Sequence, residues 1–380
     1  MKNKAYQIAI AVIVLILVFA GYLSMKGKTS NGLIIGDISS LSGNTAYIGE
    51  STMRGVEIGK AKALIEHPGI SLNVYHEDSA LMPKVGIDAY NKLRDANHMN
   101  ALIVMGSNVS MAVKPLAAKD GMLFIAASTL ANGFSSPDDL SARMTSKADI
   151  ESVPAVDYLV SKHYSKLGII YMQNEIGTSL DSSLKKAVED TKGAVKIVDE
   201  EGYAMDNKDF RTLVLKMKQA GVDSIYVAGL APHTAIILNE ADAIGLRNTI
   251  FLSYRAAEDP VLIKNAGVLA ERLVYTSAYD VNGLSASNTD FVKAYEAKYG
   301  ELPNGYAAEA YEATRLIVDA YAKCGVALGD AVAMKCTIDF LASVKNRDSV
   351  FGPFSFDRNG DVVYSFFMKT VKDGKFVRAD

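Results

Sequence analysis

The sequence predicts an α/β fold of two doubly wound parallel-sheet lobes, preceded by an N-terminal apolar helix. Three observations carry this. Short β-branched runs alternate with helical patterns, the rhythm of βαβ units. The rhythm breaks once, around residues 143–149, and restarts, giving two sets of similar size. The 380 residues exceed one ordinary domain even after the first segment is set aside.

That first segment differs from the rest. Lys2 and Lys4 precede an uncharged run over 8–23, and a basic start with an apolar core fits a secretory signal or a membrane anchor. Counted from Ala5, the run approaches the roughly 20 apolar residues of a spanning helix. No cysteine follows it, so it is not a lipoprotein signal, and the small-residue cleavage position Val18-Phe19-Ala20 lies inside the apolar run. Both readings place the chain beyond the segment outside the cytoplasm. Residues 24–32 are polar, small and basic, the composition of a tether.

The elements then follow in order. Strands are expected at 33–38, 70–75, 101–105 and 122–126, with helices at 51–65, 82–96 and 109–119 between them. In the first helix Met53, Val56, Ala61, Leu64 and Ile65 share one face. The second set places strands at 167–172, 195–198, 224–227 and 249–252, with helices at 153–163, 180–191, 210–219 and 233–243. A third block has a strand at 273–276 and helices at 291–298, 308–323 and 334–344. In the tail, 351–377, Gly352-Pro353, Asn359-Gly360 and Asp373-Gly374 separate apolar runs and read as turns of hairpins. Doubly wound sheets bind ligands at the C-terminal ends of their strands, so two facing lobes would hold one in the cleft between them.

Composition narrows the function. With 40 basic and 43 acidic side chains the net charge is -3, which argues against a nucleic-acid partner. Cys324 and Cys336 are an even count outside the cytoplasm, which suggests a disulfide; two separate small buried side chains are the alternative.

Catalytic motifs fail on inspection. Gly27-Lys28-Thr29 lacks the earlier glycine of a phosphate loop, because Tyr22 stands there, and lacks a preceding strand. Ser182 and Lys185 have the spacing of a serine–lysine pair but sit in an ordinary amphipathic pattern. Asn108-Val109-Ser110 fits a glycosylation acceptor, yet opens a helix, where capping explains it better. His67, His76, His98, His163 and His233 have no ligand spacing, so no metal site is expected. Neither a nucleophile elbow nor a dinucleotide glycine fingerprint occurs. The reading is therefore not an enzyme, with no catalytic residues and no cofactor.

Three motifs in order carry a family resemblance. The opening runs Ile35-Gly36-Asp37-Ile38-Ser39-Ser40-Leu41-Ser42-Gly43-Asn44-Thr45-Ala46-Tyr47-Ile48-Gly49. A middle helix runs Asp209-Phe210-Arg211-Thr212-Leu213-Val214-Leu215-Lys216-Met217-Lys218, with Asp223 beyond it. A late hairpin runs Gly352-Pro353-Phe354-Ser355-Phe356-Asp357-Arg358-Asn359-Gly360-Asp361. Over residues 33–380 the chain resembles the leucine/isoleucine/valine-binding family of periplasmic solute-binding proteins. The resemblance implies two lobes joined by a three-crossover hinge. Lobe I would hold 33–146 with 279–364, and lobe II 147–278 with 365–380, after a segment 1–32 that is signal or anchor and tether.

The resemblance also implies a site. Ser107 matches the serine that holds the ligand carboxylate, eight residues before Pro115 and at a helix N-terminus, which favours an anion. Ala127 and Thr129, with Ser128 between them, match a carbonyl and a hydroxyl that meet an ammonium group. Tyr306 matches an aromatic contact from a later helix. The second lobe departs from the pattern. Arg255 stands where the amino-acid binders place an acid, Ile176 and Leu230 replace aromatic contacts, and Ile48, beside Tyr47, replaces a tyrosine. If Arg255 points into the cleft, it favours a second carboxylate over an amine. If it points to solvent or is held by Glu258, the cleft is merely apolar.

The implied role is an extracytoplasmic solute-binding protein of an ABC-type importer, capturing a small carboxylate for permease and ATPase subunits. A sensing module acting through a signalling partner shares the fold and is the alternative.

Overall fold

The computed structural model describes residues 32–379. The expected apolar N-terminal helix, and with it the choice between signal and anchor, lies outside the described residues. Among the described residues no helix is long and apolar enough to cross a membrane.

The first sheet contains β1 (Leu33–Ser39), β2 (Leu72–Asp78), β3 (Ala101–Met105), β4 (Leu123–Ser128) and β5 (Ser141–Arg143) in the order β2-β1-β3-β4-β5. All its pairings are parallel. Its crossovers are α1 (Ala46–Glu66), α2 (Pro83–Asp95) and α3 (Ser107–Asp120). After β5 the chain passes through α4 (Ala148–Ser161) to the second sheet. There β6 (Lys166–Met172), α5 (Glu175–Asp190), β7 (Lys196–Tyr203), α6 (Arg211–Ala220), β8 (Ser224–Ala228), α7 (Ala231–Ala243), β9 (Ile250–Ser253), α8 (Pro260–Ala266) and β10 (Leu273–Ser277) follow. The chain returns through α9 (Ala286–Tyr299), α10 (Gly305–Cys324) and α11 (Ala331–Ala342), with α10 packed on α1 and β4. It ends in the antiparallel pair β11 (Phe367–Lys372) and β12 (Lys375–Arg378) on the edge of the second sheet, whose order is β12-β11-β10-β9-β8-β6-β7.

Within the second sheet, β7-β6-β8-β9-β10 repeats the winding of the first. The cause is visible in the strands. β3 and β8 are buried at every position, as parallel strands covered by helices on both faces must be. Separate apolar clusters cover the two faces of each sheet. Each buried leucine, isoleucine or phenylalanine contributes about 1.5–3 kcal/mol.

Several expectations are corrected. The stretch 143–149 read as a break holds Arg143, the last residue of β5, and the start of α4. The tail hairpins reduce to isolated bridges, Arg347 to Phe354 and Phe356 to Val362, before the β11–β12 hairpin. There Asp373 and Gly374 both take positive φ, 50° and 68°, the turn that matches strand twist. Cys324 and Cys336 are joined, with Cα atoms 5.6 Å apart, and tie the end of α10 to α11.

Candidate functional site

The C-terminal ends of strands from both sheets border one mainly apolar chamber. The first sheet presents Met105 and Gly106 at the end of β3, Ser128 and Leu130 at the end of β4, Leu81, and Ile48 from α1. The second presents Ile176 after β6, Leu230 after β8, and Tyr254 and Ala256 after β9. Tyr306, in the first turn of α10, closes the side. Each contact follows from where its strand stops. The chain turns there into a helix, so its first residues after the strand face the crevice.

Gly106 caps α3 with φ 95°. A Cβ there would lie 2.3 Å from Leu81 Cδ1, so a side chain would be strained by φ and would force Leu81 to move. Its amide donates to the Ser128 carbonyl at 2.8 Å, pinning the ends of β3 and β4 together.

The expected site residues other than Arg255 divide into three groups. Ile48, Ser128, Ile176, Leu230 and Tyr306 line the apolar chamber. Tyr47 packs on its rim against Ile48, Leu81, Met105 and Tyr306. Burial pushes the Tyr47 hydroxyl up to about 12, against a hydrogen bond from Asn304, so it stays protonated. Ser107, Ala127 and Thr129 form the layer behind the wall. The Ser107 hydroxyl accepts from the Leu130 and Ala131 amides at 3.0 and 3.3 Å, which leaves its own proton to donate. Thr129 donates its hydroxyl to Ser110 at 2.6 Å, and the Ala127 carbonyl lies 3.0 Å from the Thr145 hydroxyl. In this structure both are engaged by protein groups.

Arg143 holds this layer in place. It is fully buried, donates to the Thr129 and Ala131 carbonyls at 3.0 and 2.8 Å, and pairs with Asp361 at 2.5 Å. Asn108, read as a capping residue, instead accepts from the Glu175 amide at 3.1 Å, joining α3 to α5 across the two sheets. Ser182 donates to the Ser179 carbonyl and Lys185 pairs with Asp181 and Glu200, so neither acts as a nucleophile pair.

Of the two placements, Arg255 takes the first: it points into the cleft, where a protein carboxylate answers its charge. It is buried, and Glu258 is held by Lys369 instead. Its guanidinium pairs with Glu309, donates to Ser128 at 2.6 Å and to Thr145 at 3.1 Å, and lies 4.5 Å from the centre of the Tyr306 ring. Residues of both sheets thus meet on one cation, and its charge is matched inside the protein. Glu309 was missed in the sequence. A glutamate three residues after Tyr306 looks like one side of an exposed helix, and only its alanine-rich neighbours hint at burial.

Arg255 and Tyr306 divide the apolar chamber from a second, polar one. This is bordered by Thr145 and Ser146, Ser277 to Tyr279, and Tyr364 and Phe366, the three places where the chain passes between the sheets. Glu151 and Glu309 are also in its wall. Burial pushes the Glu309 carboxyl up to about 7, against the Arg255 charge. Burial likewise raises Glu151, again opposed by Arg255 and the Thr276 hydroxyl. Among the described residues no cluster of metal-ligating side chains occurs.

Two parallel-sheet lobes with a chamber at their facing strand ends define a two-lobed binding protein. Residues 33–375 match the family model of the periplasmic binding proteins, and the chain belongs to that family. It is 27% identical to the Leu/Ile/Val-binding protein homolog 2 of Brucella abortus, covering 93% of this chain and 95% of that one. A leucine-binding protein of Thermotoga maritima shares the fold at TM-score 0.82 and 20% identity, over 92% of this chain and 98% of the other. A solute-binding protein of an R. palustris ABC transporter, solved with benzoate, matches at TM-score 0.81 and 22% identity, over 92% and 95% of the chains.

Proposed function

We propose that this chain is the extracytoplasmic solute-binding component of an ABC-type importer. It captures a small carboxylate with an apolar body and presents it to permease and ATPase subunits. The lobes are 33–146 with 279–364 and 147–278 with 365–380, and they close about the three chain passages by a hinge. Segment 1–32 directs export of the protein or tethers it to the membrane.

The observation that carries the reading is the chamber itself. Ile48, Leu81, Ile176 and Leu230 offer an apolar pocket, and the N-terminus of α3, with the Ser107 proton, offers an anion site beside it. The ligand named for the Brucella relative and the one named for the R. palustris structure share this chemistry, a carboxylate on an apolar group.

A thermal-shift screen tests the reading, because a ligand of the folded state raises the melting midpoint. Leucine, valine, their keto acids, benzoate and a dicarboxylate span the choices. One or more apolar monocarboxylates should stabilise the protein, with titration calorimetry giving one site per chain. Stabilisation by none of them, or by the dicarboxylate alone, would sink the proposed ligand class.

A further inference from the structure

The polar chamber carries more negative charge than its arginine balances. Its wall includes Glu151, Glu258 and Glu309 with Arg255, and Lys369 is held on Glu258. That pair set aside, two carboxylates share one guanidinium. Both carboxylates are nearly inaccessible, Glu151 at 0% and Glu309 at 3% exposure. Oε2 of each has no hydrogen-bond partner, and in the same wall the same holds for the Tyr364 hydroxyl and for Arg255 Nε, one N–H against two carboxylate oxygens. A buried carboxylate oxygen without a donor is costly, so the chamber favours an added positive group.

We propose that this chamber is a binding site for one compact monovalent cation of the ammonium type, with the free carboxylate oxygens of Glu151 and Glu309 as its acceptors. A single positive charge brings the two carboxylates and Arg255 to neutrality, whereas a divalent ion would leave a buried excess. The rings of Tyr279, Phe351 and Phe366 in the wall suit a weakly hydrated cation with N–H donors. The family pattern places an acid where Arg255 stands. Here the acids come instead from α4, in the lobe of Arg255, and from α10, in the other lobe.

The cation has two sources. It is free in solution, or it is the amine of a solute in the adjoining chamber, since Tyr306 borders both. Only the second source rests on the proposed solute-binding role. A proton competes in either case. Glu309 faces Arg255, Thr145, Glu151, Tyr306 and Tyr364, and burial places its titration near 7, so cation binding weakens below that pH.

The test uses the full chain and ammonium chloride, with tetramethylammonium chloride at equal concentration as the bulky control. Above pH 7 ammonium should raise the melting midpoint by a few degrees relative to the control, and below pH 7 by much less. Glu151→Gln should abolish the response while leaving the Arg255–Glu309 pair intact. If that variant fails to fold, the ratio of wild-type responses above and below pH 7 carries the test. Leucine and 4-methylpentanoate, which lacks the amine, separate the sources. If the solute supplies the cation, leucine removes the ammonium response and 4-methylpentanoate does not. If the cation is free, the response persists with either acid. No ammonium response in the wild type at any pH, or an equal response in Glu151→Gln, overturns the proposal. A stability change with pH alone, without a cation effect, assigns the chamber to a proton and overturns it too. Failure of leucine to bind with the ammonium response intact counts against the proposed solute and not against the chamber.

Discussion

Arg143 and Asp361, 218 residues apart in the chain, meet at 2.5 Å with both side chains almost fully buried. The pair fixes the loop that follows β4, because the same guanidinium binds the Thr129 and Ala131 carbonyls. Asp361→Ala leaves that cation buried without its partner. The expected cost is about 3–5 kcal/mol of folding stability. Denaturant unfolding measures it, and a loss below about 1 kcal/mol would show that the pair is dispensable.

Gly106→Ala tests the switch point between β1 and β3. Positive φ and the 2.3 Å approach to Leu81 Cδ1 act together. A loss of about 1–3 kcal/mol is expected from overpacking and backbone strain. In a Leu81→Ala background Gly106→Ala should cost less, leaving only the cost of φ. No cost at all in that background would assign the whole effect to the contact.

Leu230→Asp places a carboxylate in the apolar chamber opposite the N-terminus of α3. Affinity for the confirmed solute should fall at least about tenfold, since like charge and lost apolar contact act together. Calorimetry with unchanged affinity would remove Leu230 from the solute's surroundings.

His76 gives a pH signature separate from the chambers. Burial opposes its charge, but hydrogen bonds to Asp37 at 2.7 Å and Glu57 at 3.2 Å outweigh that and push it up to about 9. Because the folded value exceeds the ordinary 6.5, its stabilisation is complete below about 6.5 and is lost as pH rises through 9. Unfolding free energy should therefore decline across that window, and His76→Gln should flatten the decline. An unchanged slope in the variant would place the titration elsewhere.

The alternation of strands and helices was legible because it is local. β3 is a run of five apolar residues, buried on both faces, and nothing beyond its own sequence is needed to see it. β5 was illegible for the opposite reason. It has three residues, ends on Arg143, and exists because β4 and Asp361 receive it. The site divided in the same way. Ile176 and Leu230 came from the family resemblance, and both follow strand ends and border the apolar chamber. Thr145, Glu151 and Glu309 act through partners far along the chain, Glu309 lying 164 residues from Thr145 at 2.7 Å. Arg255 was visible as an anomaly, but the carboxylate that answers it was not.

The Cys324–Cys336 bond stands at the far end of the helix that carries Tyr306 and Glu309. A helix of 20 residues is about 30 Å long, so the bond lies well away from both chambers. Reduction would free the connection between α10 and α11, where Gly325 and Gly329 already take positive φ. Protease nicking should begin there, since local opening needs little more than fraying of two helix ends. Material made in a reducing compartment should thus clip between the two helices while still folding its cleft. Intact mass after limited digestion would then report which side of the membrane a preparation came from.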